Sequence, residues 1–208
     1  MRERITISIR SDLLEKIDQQ IDGSKLRNRS HAIEHFVSES LGLAEVNNAV
    51  ILGGGKGALK LIPIIEGSIQ ELKKYGINLI YLAVGYLGPK IKEYIGDGTK
   101  YGVKVIYLEG GEGTAGAVKP LKNTFKKTFI VINLDESLKI DLKKLAAFHR
   151  KHLSTATIAV KELTNPKGIY MFEPDIFTFI PDGFSMLESD VFPELVKENK
   201  IITFPALG

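Results

Sequence analysis

Three groups of residues have types and spacings suited to chemistry on phosphates or nucleic acid. The first is the run A-V-I-L-G-G-G-K-G from Ala49 to Gly57, an apolar strand pattern that breaks into Gly53, Gly54, Gly55, Lys56 and Gly57. Side-chain-free backbone there lets amides approach a phosphate or a nucleobase closely. A tight strand-to-helix turn uses the same residues. The second group is the alternating segment R-I-T-I-S-I-R, in which Arg4, Thr6, Ser8 and Arg10 face one way and Ile5, Ile7 and Ile9 the other. The third is the loop holding Lys25, Arg27, Asn28, Arg29 and Ser30. A two-stranded antiparallel ribbon fits the major groove of DNA, where Arg reads guanine and Thr or Ser contacts several bases. A helix starting in the basic loop would offer its amides to a DNA phosphate. The histidines at 31, 35, 149 and 152 include one pair four residues apart, but no third ligand at metal spacing.

The elements that must hold these groups divide the chain in two. Residues 1–45 read as strand, helix, helix. Ser11 is expected to cap a helix carrying Leu13, Leu14, Ile17 and Ile21, and Ser30 one carrying Ala32, Ile33, Phe36, Val37 and Leu41. So small a unit buries little surface, and its single strand leaves backbone groups unpaired. Two chains that pair their strands and pack four helices beneath them solve both problems, so a homodimer is expected. Residues 46–208 alternate instead: strands at 48–52, 78–84, 104–108, 129–133, 156–160, 168–172 and 201–204, with helices at 62–75, 89–94, 115–123, 142–151 and 190–198. This is the pattern of βαβ units on a mostly parallel sheet, whose ligands sit at the carboxyl ends of the strands.

Composition limits the functions available. The 208 residues contain no cysteine, which removes disulfides, iron–sulfur clusters, Cys-bound zinc and thiol catalysis. No apolar run approaches the ~20 residues that a membrane-spanning helix needs, and the first residues lack a signal-peptide core. A cytoplasmic protein without membrane contact is expected. The net charge of +3 averages two unlike parts, because residues 1–45 hold 7 Lys/Arg against 8 Asp/Glu. DNA affinity would then depend on where the cations sit rather than on a general basic field.

R-I-T-I-S-I-R-S-D-L-L-E-K-I-D followed by N-R-S-H-A-I-E-H-F-V-S-E-S-L resembles the ribbon-helix-helix repressors. The resemblance implies an intertwined dimer that binds double-stranded DNA, with Arg4, Thr6 and Ser8 on the bases and the Ser30 helix start on a phosphate. It also implies pairing of dimers into a tetramer on DNA.

From residue 48 onward the chain resembles the sugar-phosphate nucleotidyltransferases, which couple a nucleoside triphosphate to a sugar 1-phosphate. The glycine turn matches the family's opening loop. Gly113-Thr114-Ala115-Gly116-Ala117 is similar to the loop that helps hold the base, and the run Val131 to Asp135 resembles the strand whose Asp binds magnesium. Gly168-Ile169-Tyr170, Phe184-Ser185 and Asp190 to Pro193 match later, sugar-side segments. The resemblance therefore marks Gly53, Gly54, Gly55, Lys56, Gly57, Gly113, Thr114, Ala115 and Asp135 as candidate nucleotide-binding residues, with Asp135 the candidate Mg²⁺ ligand. Taken alone, Asp135 fits a helix cap or a turn equally well. In the family the glycine loop continues into an Arg and then a Pro-Lys-Pro stretch, whereas here Gly57 runs into Ala58, Leu59 and Lys60. A later Glu-Lys-Pro stretch is also missing.

These departures lead to an expected two-domain α/β protein: a ribbon-helix-helix domain (1–45) followed by a Rossmann-like nucleotidyltransferase-type domain (46–208) with a mostly parallel sheet. The expected function is a DNA-binding transcriptional regulator and not an enzyme. Its second domain would be truncated and degenerate, without catalytic residues, and would serve as a sensor of a nucleotide or nucleotide-sugar effector, with or without Mg²⁺, or as an oligomerisation module. An active nucleotidyltransferase tethered to DNA and a plasmid-segregation protein are the alternatives.

Overall fold

A computed structural model of the chain describes residues 5–21, 26–40, 46–54, 61–85, 88–134, 140–160 and 168–205. The chain divides into two compact units, Met1–Leu43 and Ala44–Gly208.

In the first unit, α1 spans Ser11–Gln19 and α2 spans Arg29–Ser40. The strand expected at 4–10 does not form in the single chain. Residues 5–10 carry no ladder, and Arg4 lies outside the described residues, as does Lys25. A lone strand has no neighbour to accept its amides, so alternation by itself cannot make one. Thr6 and Ser8 therefore lie on an unpaired segment. The expected caps shift as well. Arg10 occupies the cap position of α1 without a side-chain cap bond. Asn28, not Ser30, caps α2: its carbonyl accepts the Ala32 N–H at 2.9 Å and its Oδ1 the His31 N–H at 3.0 Å. Asn and Ser cap equally well, so composition could not choose between them.

Two of the cations assigned to DNA are held by acids of the same unit. Arg29 donates to both carboxylate oxygens of Asp18 at 2.7 and 2.6 Å, fastening the start of α2 to the end of α1. That hydrogen bond holds the Asp18 carboxyl below its usual range. Arg10 donates to Asp12 at 3.0 Å, and the Arg27 amide donates to His31 Nδ1 at 3.4 Å.

The second unit is a seven-stranded sheet of β1 (Asn48–Leu52), β2 (Leu79–Ala83), β3 (Lys104–Leu108), β4 (Phe129–Asn133), β5 (Ala156–Val160), β6 (Ile169–Phe172) and β7 (Ile201–Pro205). The order is β3-β2-β1-β4-β6-β5-β7. Every neighbouring pair is parallel except β4–β6 and β5–β6, where β6 runs against both neighbours. Helices α3 (Ile62–Lys74), α4 (Gly88–Ile95), α5 (Gly113–Val118), α6 (Leu142–His152) and α7 (Phe192–Lys197) complete the unit.

The central strands are apolar on both faces because both are covered. One face carries Ala49, Ile51, Ile80, Leu82, Ile130 and Ile132 against Ile65, Ile69 and Leu72 of α3, Ile91 of α4 and Leu145 of α6. The other carries Val50, Leu52, Tyr81, Phe129 and Val131 against Val118, Phe125, Leu187, Phe192 and Leu195. Alternate residues of each strand thus feed two separate cores.

One polar node lies at the end of the sheet where β4 begins. His149 is buried, with Nδ1 2.7 Å from Thr157 Oγ1 and Nε2 3.1 Å from Glu173 Oε1. A carboxylate only accepts, so with neutral imidazole the proton sits on Nε2 and the Thr157 hydroxyl donates to Nδ1. Thr128 Oγ1 donates to the same Glu173 oxygen at 2.6 Å. His149 is thereby a structural residue with both nitrogens engaged.

Candidate active site

A cleft of about 380 Å³ opens at the carboxyl ends of β1, β2 and β4. Leu52 and Gly54 line it from β1, Ala83, Val84 and Gly85 from β2, and Asn133 from β4, facing Gly110, Gly111, Gly113, Thr114, Ala117 and Met186. A wall built so largely of glycine and alanine presents backbone at close range, the geometry that receives a planar base or a phosphate.

The sequence-marked residues take different places. Gly53 is a packing residue: its amide donates to the Ala83 carbonyl at 2.8 Å, and a Cβ would stand 3.3 Å from Leu82 Cδ1. Gly54, Gly113 and Thr114 line the cleft. Ala115 does not; it is buried in the core, and its amide donates to the Ser185 carbonyl at 3.0 Å. Its methyl group, one position past Thr114, is turned inward by α5. Gly55, Lys56, Gly57 and Asp135 lie outside the described residues. The strand leading to Asp135, β4, ends with Asn133 in the cleft wall.

The loop at 110–116 depends on glycine at particular points. Gly110, Gly111 and Gly113 have φ of +83°, +84° and +81°. A Cβ at Gly111 would come 2.4 Å from the Gly116 carbonyl oxygen, and one at Gly113 would come 2.2 Å from the Ser185 carbonyl oxygen. Ser185 accounts for the crowding at Gly113. Its carbonyl accepts from both Ala115 and Gly116, at 3.0 and 3.1 Å, while its amide donates to the Glu112 carbonyl at 3.1 Å.

Behind the cleft lies a residue that sequence reasoning missed. Glu188 accepts hydrogen bonds from Thr114, Asn133 and Tyr170. Burial first, and the Glu188 charge second, push the Tyr170 hydroxyl well above its ordinary range, so it stays a donor. The only signal for Glu188 was its position ahead of Asp190 to Pro193, and nothing in its spacing tied it to Thr114.

Among the described residues no group of three His, Cys, Asp or Glu is placed to hold a metal ion. Mg²⁺ at a nucleotide site needs only one or two carboxylates, because substrate phosphates supply most of its remaining oxygens. Likewise, among the described residues no helix is long and apolar enough to cross a membrane.

Residues 48–168 match the family model described as Nucleotidyl transferase. The chain belongs to the nucleotidyl transferase family. It is 30% identical over 182 residues to the D-glycero-α-D-manno-heptose 1-phosphate guanylyltransferase of Campylobacter jejuni, covering 73% of this chain and 80% of that one. It is 27% identical over 212 residues to the UTP–glucose-1-phosphate uridylyltransferase of Synechocystis, covering 71% and 55% of the two. The chain thus spans little more than half the length of that relative. Among solved structures it is similar to HddC from Yersinia pseudotuberculosis complexed with GMP-PN, with a TM-score of 0.57 at 20% identity, covering 78% of this chain and 92% of that one.

These matches overturn the expected DNA-binding regulator with a degenerate, non-enzymatic domain. The nucleotidyltransferase match runs from β1 through β5 to Gly168, the described residues form a seven-stranded sheet with a cleft at its strand ends, and the relatives named above are sugar-phosphate nucleotidyltransferases. No ribbon-helix-helix domain is shown. Missing cations after Gly57 and a missing Glu-Lys-Pro stretch do not unmake a domain that matches the family over residues 48–168.

Proposed function

We propose that this nucleotidyl transferase family member is an active sugar-1-phosphate nucleotidyltransferase. Its reaction joins a sugar-phosphate oxygen to the α-phosphorus of a nucleoside triphosphate, breaks the α–β phosphoanhydride bond and releases pyrophosphate. The observation that carries the reading is the glycine-lined cleft at the ends of β1, β2 and β4. In it Gly54, Gly113 and Thr114 would contact the nucleotide, and the residues from Gly54 to Gly57, with Lys56, would offer amides and a cation to its phosphates. Asp135 would hold Mg²⁺, which neutralises charge on the transferring phosphoryl group.

The test is pyrophosphate release by the full chain with Mg²⁺, using GTP, UTP and dTTP crossed with a set of sugar 1-phosphates. Release that needs both substrates is expected, and Asp135→Ala should lower it by roughly a hundredfold or more. Absence of release for every pair overturns the reading.

We further propose that the first unit joins two chains, pairing through residues 4–10. Ile5, Ile7, Leu13 and Val37 are 74%, 53%, 44% and 50% exposed in the single chain. Four large apolar side chains on so small a unit favour a second copy as their cover. Light scattering should give twice the chain mass, falling to the chain mass for the double variant Ile5→Asp, Ile7→Asp. A monomeric wild type at tens of micromolar would rule the pairing out.

A further inference from the structure

Glu188 sits where three elements converge on the back of the cleft. Its Oε2 accepts from Thr114 Oγ1 at 3.0 Å, and its Oε1 accepts from Asn133 Nδ2 at 3.1 Å and from the Tyr170 hydroxyl at 3.0 Å. Thr114 lies in the first turn of α5, Asn133 closes β4 and Tyr170 lies on β6. The hydroxyls are fully committed. Thr114 accepts from the Leu187 amide at 2.8 Å, and Tyr170 accepts from the Gly168 amide at 3.2 Å. Each hydroxyl has a single proton, and both protons go to Glu188. A carboxylate has no proton of its own to place, so it alone takes all three donors without conflict.

Two of those donors, Thr114 and Asn133, belong to different walls of the cleft. One half-buried carboxylate therefore ties the glycine loop to the strand end that leads to Asp135. The segment carrying it grips the same loop again through the Ser185 carbonyl, which accepts from Ala115 and Gly116. We propose that Glu188 is a positioning residue for the nucleotide: it fixes the width of the cleft by locking Thr114 to Asn133, and it acts on the ligand through Thr114. The proposal rests on the nucleotidyltransferase reading. It adds to that reading a carboxylate that holds two walls of the cleft together through hydrogen bonds from Thr114 and Asn133.

The test uses the full chain with GTP and UTP in Mg²⁺, read by titration calorimetry well below the melting temperature. Glu188→Ala should raise the dissociation constant by about tenfold or more, and Thr114→Val should do the same. The double variant should be no weaker than the weaker single variant, because both remove one link. Glu188→Gln keeps two acceptor bonds and gives Thr114 a donor in place of an acceptor, so it should recover most of the affinity. In the free protein, hydrogen exchange at the Ala115 and Gly116 amides should quicken in Glu188→Ala while the β4 amides stay protected.

Nucleotide affinity within twofold of wild type in Glu188→Ala, or strictly additive losses in the double variant, overturns the positioning role. If Glu188→Ala does not fold, Glu188→Leu, which fills the space and removes every acceptor, decides the matter by the same measures, with Glu188→Gln as its rescue. A wild type that binds neither nucleotide overturns the nucleotidyltransferase reading itself and the role with it, a result distinct from binding that ignores Glu188.

Discussion

Replacing Gly113 by alanine should weaken nucleotide binding by about tenfold or more while leaving the chain folded. Two effects combine at this position. Gly113 has φ of +81°, a region that costs an L-residue roughly 1–2 kcal/mol. In addition, its new methyl group would stand 2.2 Å from the Ser185 carbonyl oxygen and 2.8 Å from the carbonyl carbon. Both atoms are backbone, so the contact cannot be relieved by rotating a side chain. Ser185 must move, and its carbonyl is the acceptor for the Ala115 and Gly116 amides at 3.0 and 3.1 Å. The loop that lines the cleft would lose its anchor. Gly110→Ala provides the control. Gly110 has φ of +83° and also lines the cleft, yet a Cβ there meets nothing within 4 Å. It bears the backbone strain without the collision. Titration of both variants with GTP and UTP separates the two effects. Equal losses would mean that conformational strain, and not the Ser185 contact, sets the loop.

Much of the second unit could be read from residue patterns. The apolar runs at 48–52, 104–108, 129–133 and 156–160 became β1, β3, β4 and β5 without change of bounds. The runs that are apolar on both faces, in β1, β4 and β5, belong inside a covered sheet, whereas β3, which opens with the exposed Lys104, takes an edge. The pattern did not reveal strand direction. Tyr170 and Met171 would look the same in a parallel strand, and β6 runs antiparallel because its partners on both sides place it so. The first unit was harder to read because a strand is a property of a pair. Alternation at 4–10 says which faces exist and nothing about who supplies the ladder.

The site was half legible for a related reason. Glycines reveal themselves in sequence, because a loop that needs backbone at close range has few other choices, and Gly54 and Gly113 do line the cleft. Ala115 followed them by proximity and proved to be core. Glu188 lies 74 positions from Thr114 and 55 from Asn133. No periodicity connects such residues; only the folded sheet brings them together. The charge pattern misled in the same way. Arg29 looked like a phosphate ligand until Asp18, eleven residues earlier, closed on it in two bonds.

Phe129→Ala should lower the stability of the second unit by about 3–5 kcal/mol, the usual cost of removing a buried aromatic side chain and leaving its cavity. Phe129 is fully buried at the first position of β4. Its ring lies 4.6 Å from that of Phe125, 5.5 Å from Phe177 in a stacked arrangement and 5.8 Å from Phe172. Phe172 is also its ladder partner across β6, so both backbone register and ring packing meet at this point. These neighbours are themselves buried and held by other rings, as Phe125 is by Tyr81 at 5.1 Å, which limits how far the cavity can collapse. Thermal and denaturant unfolding should show the loss as a fall of roughly 10 °C in melting temperature. Phe184→Ala, at a position 65% exposed, should change stability by no more than about 0.5 kcal/mol. Phe129 and the cleft residue Asn133 lie at opposite ends of one strand, roughly 13 Å apart at about 3.3 Å per residue. Nucleotide affinity measured well below the melting temperature should therefore match wild type, the reverse of the Gly113→Ala outcome. A large affinity loss in Phe129→Ala would mean that β4 transmits core strain along its length to the cleft. In that case the hydrogen bonds to Glu188 at its far end would not be enough to fix Asn133.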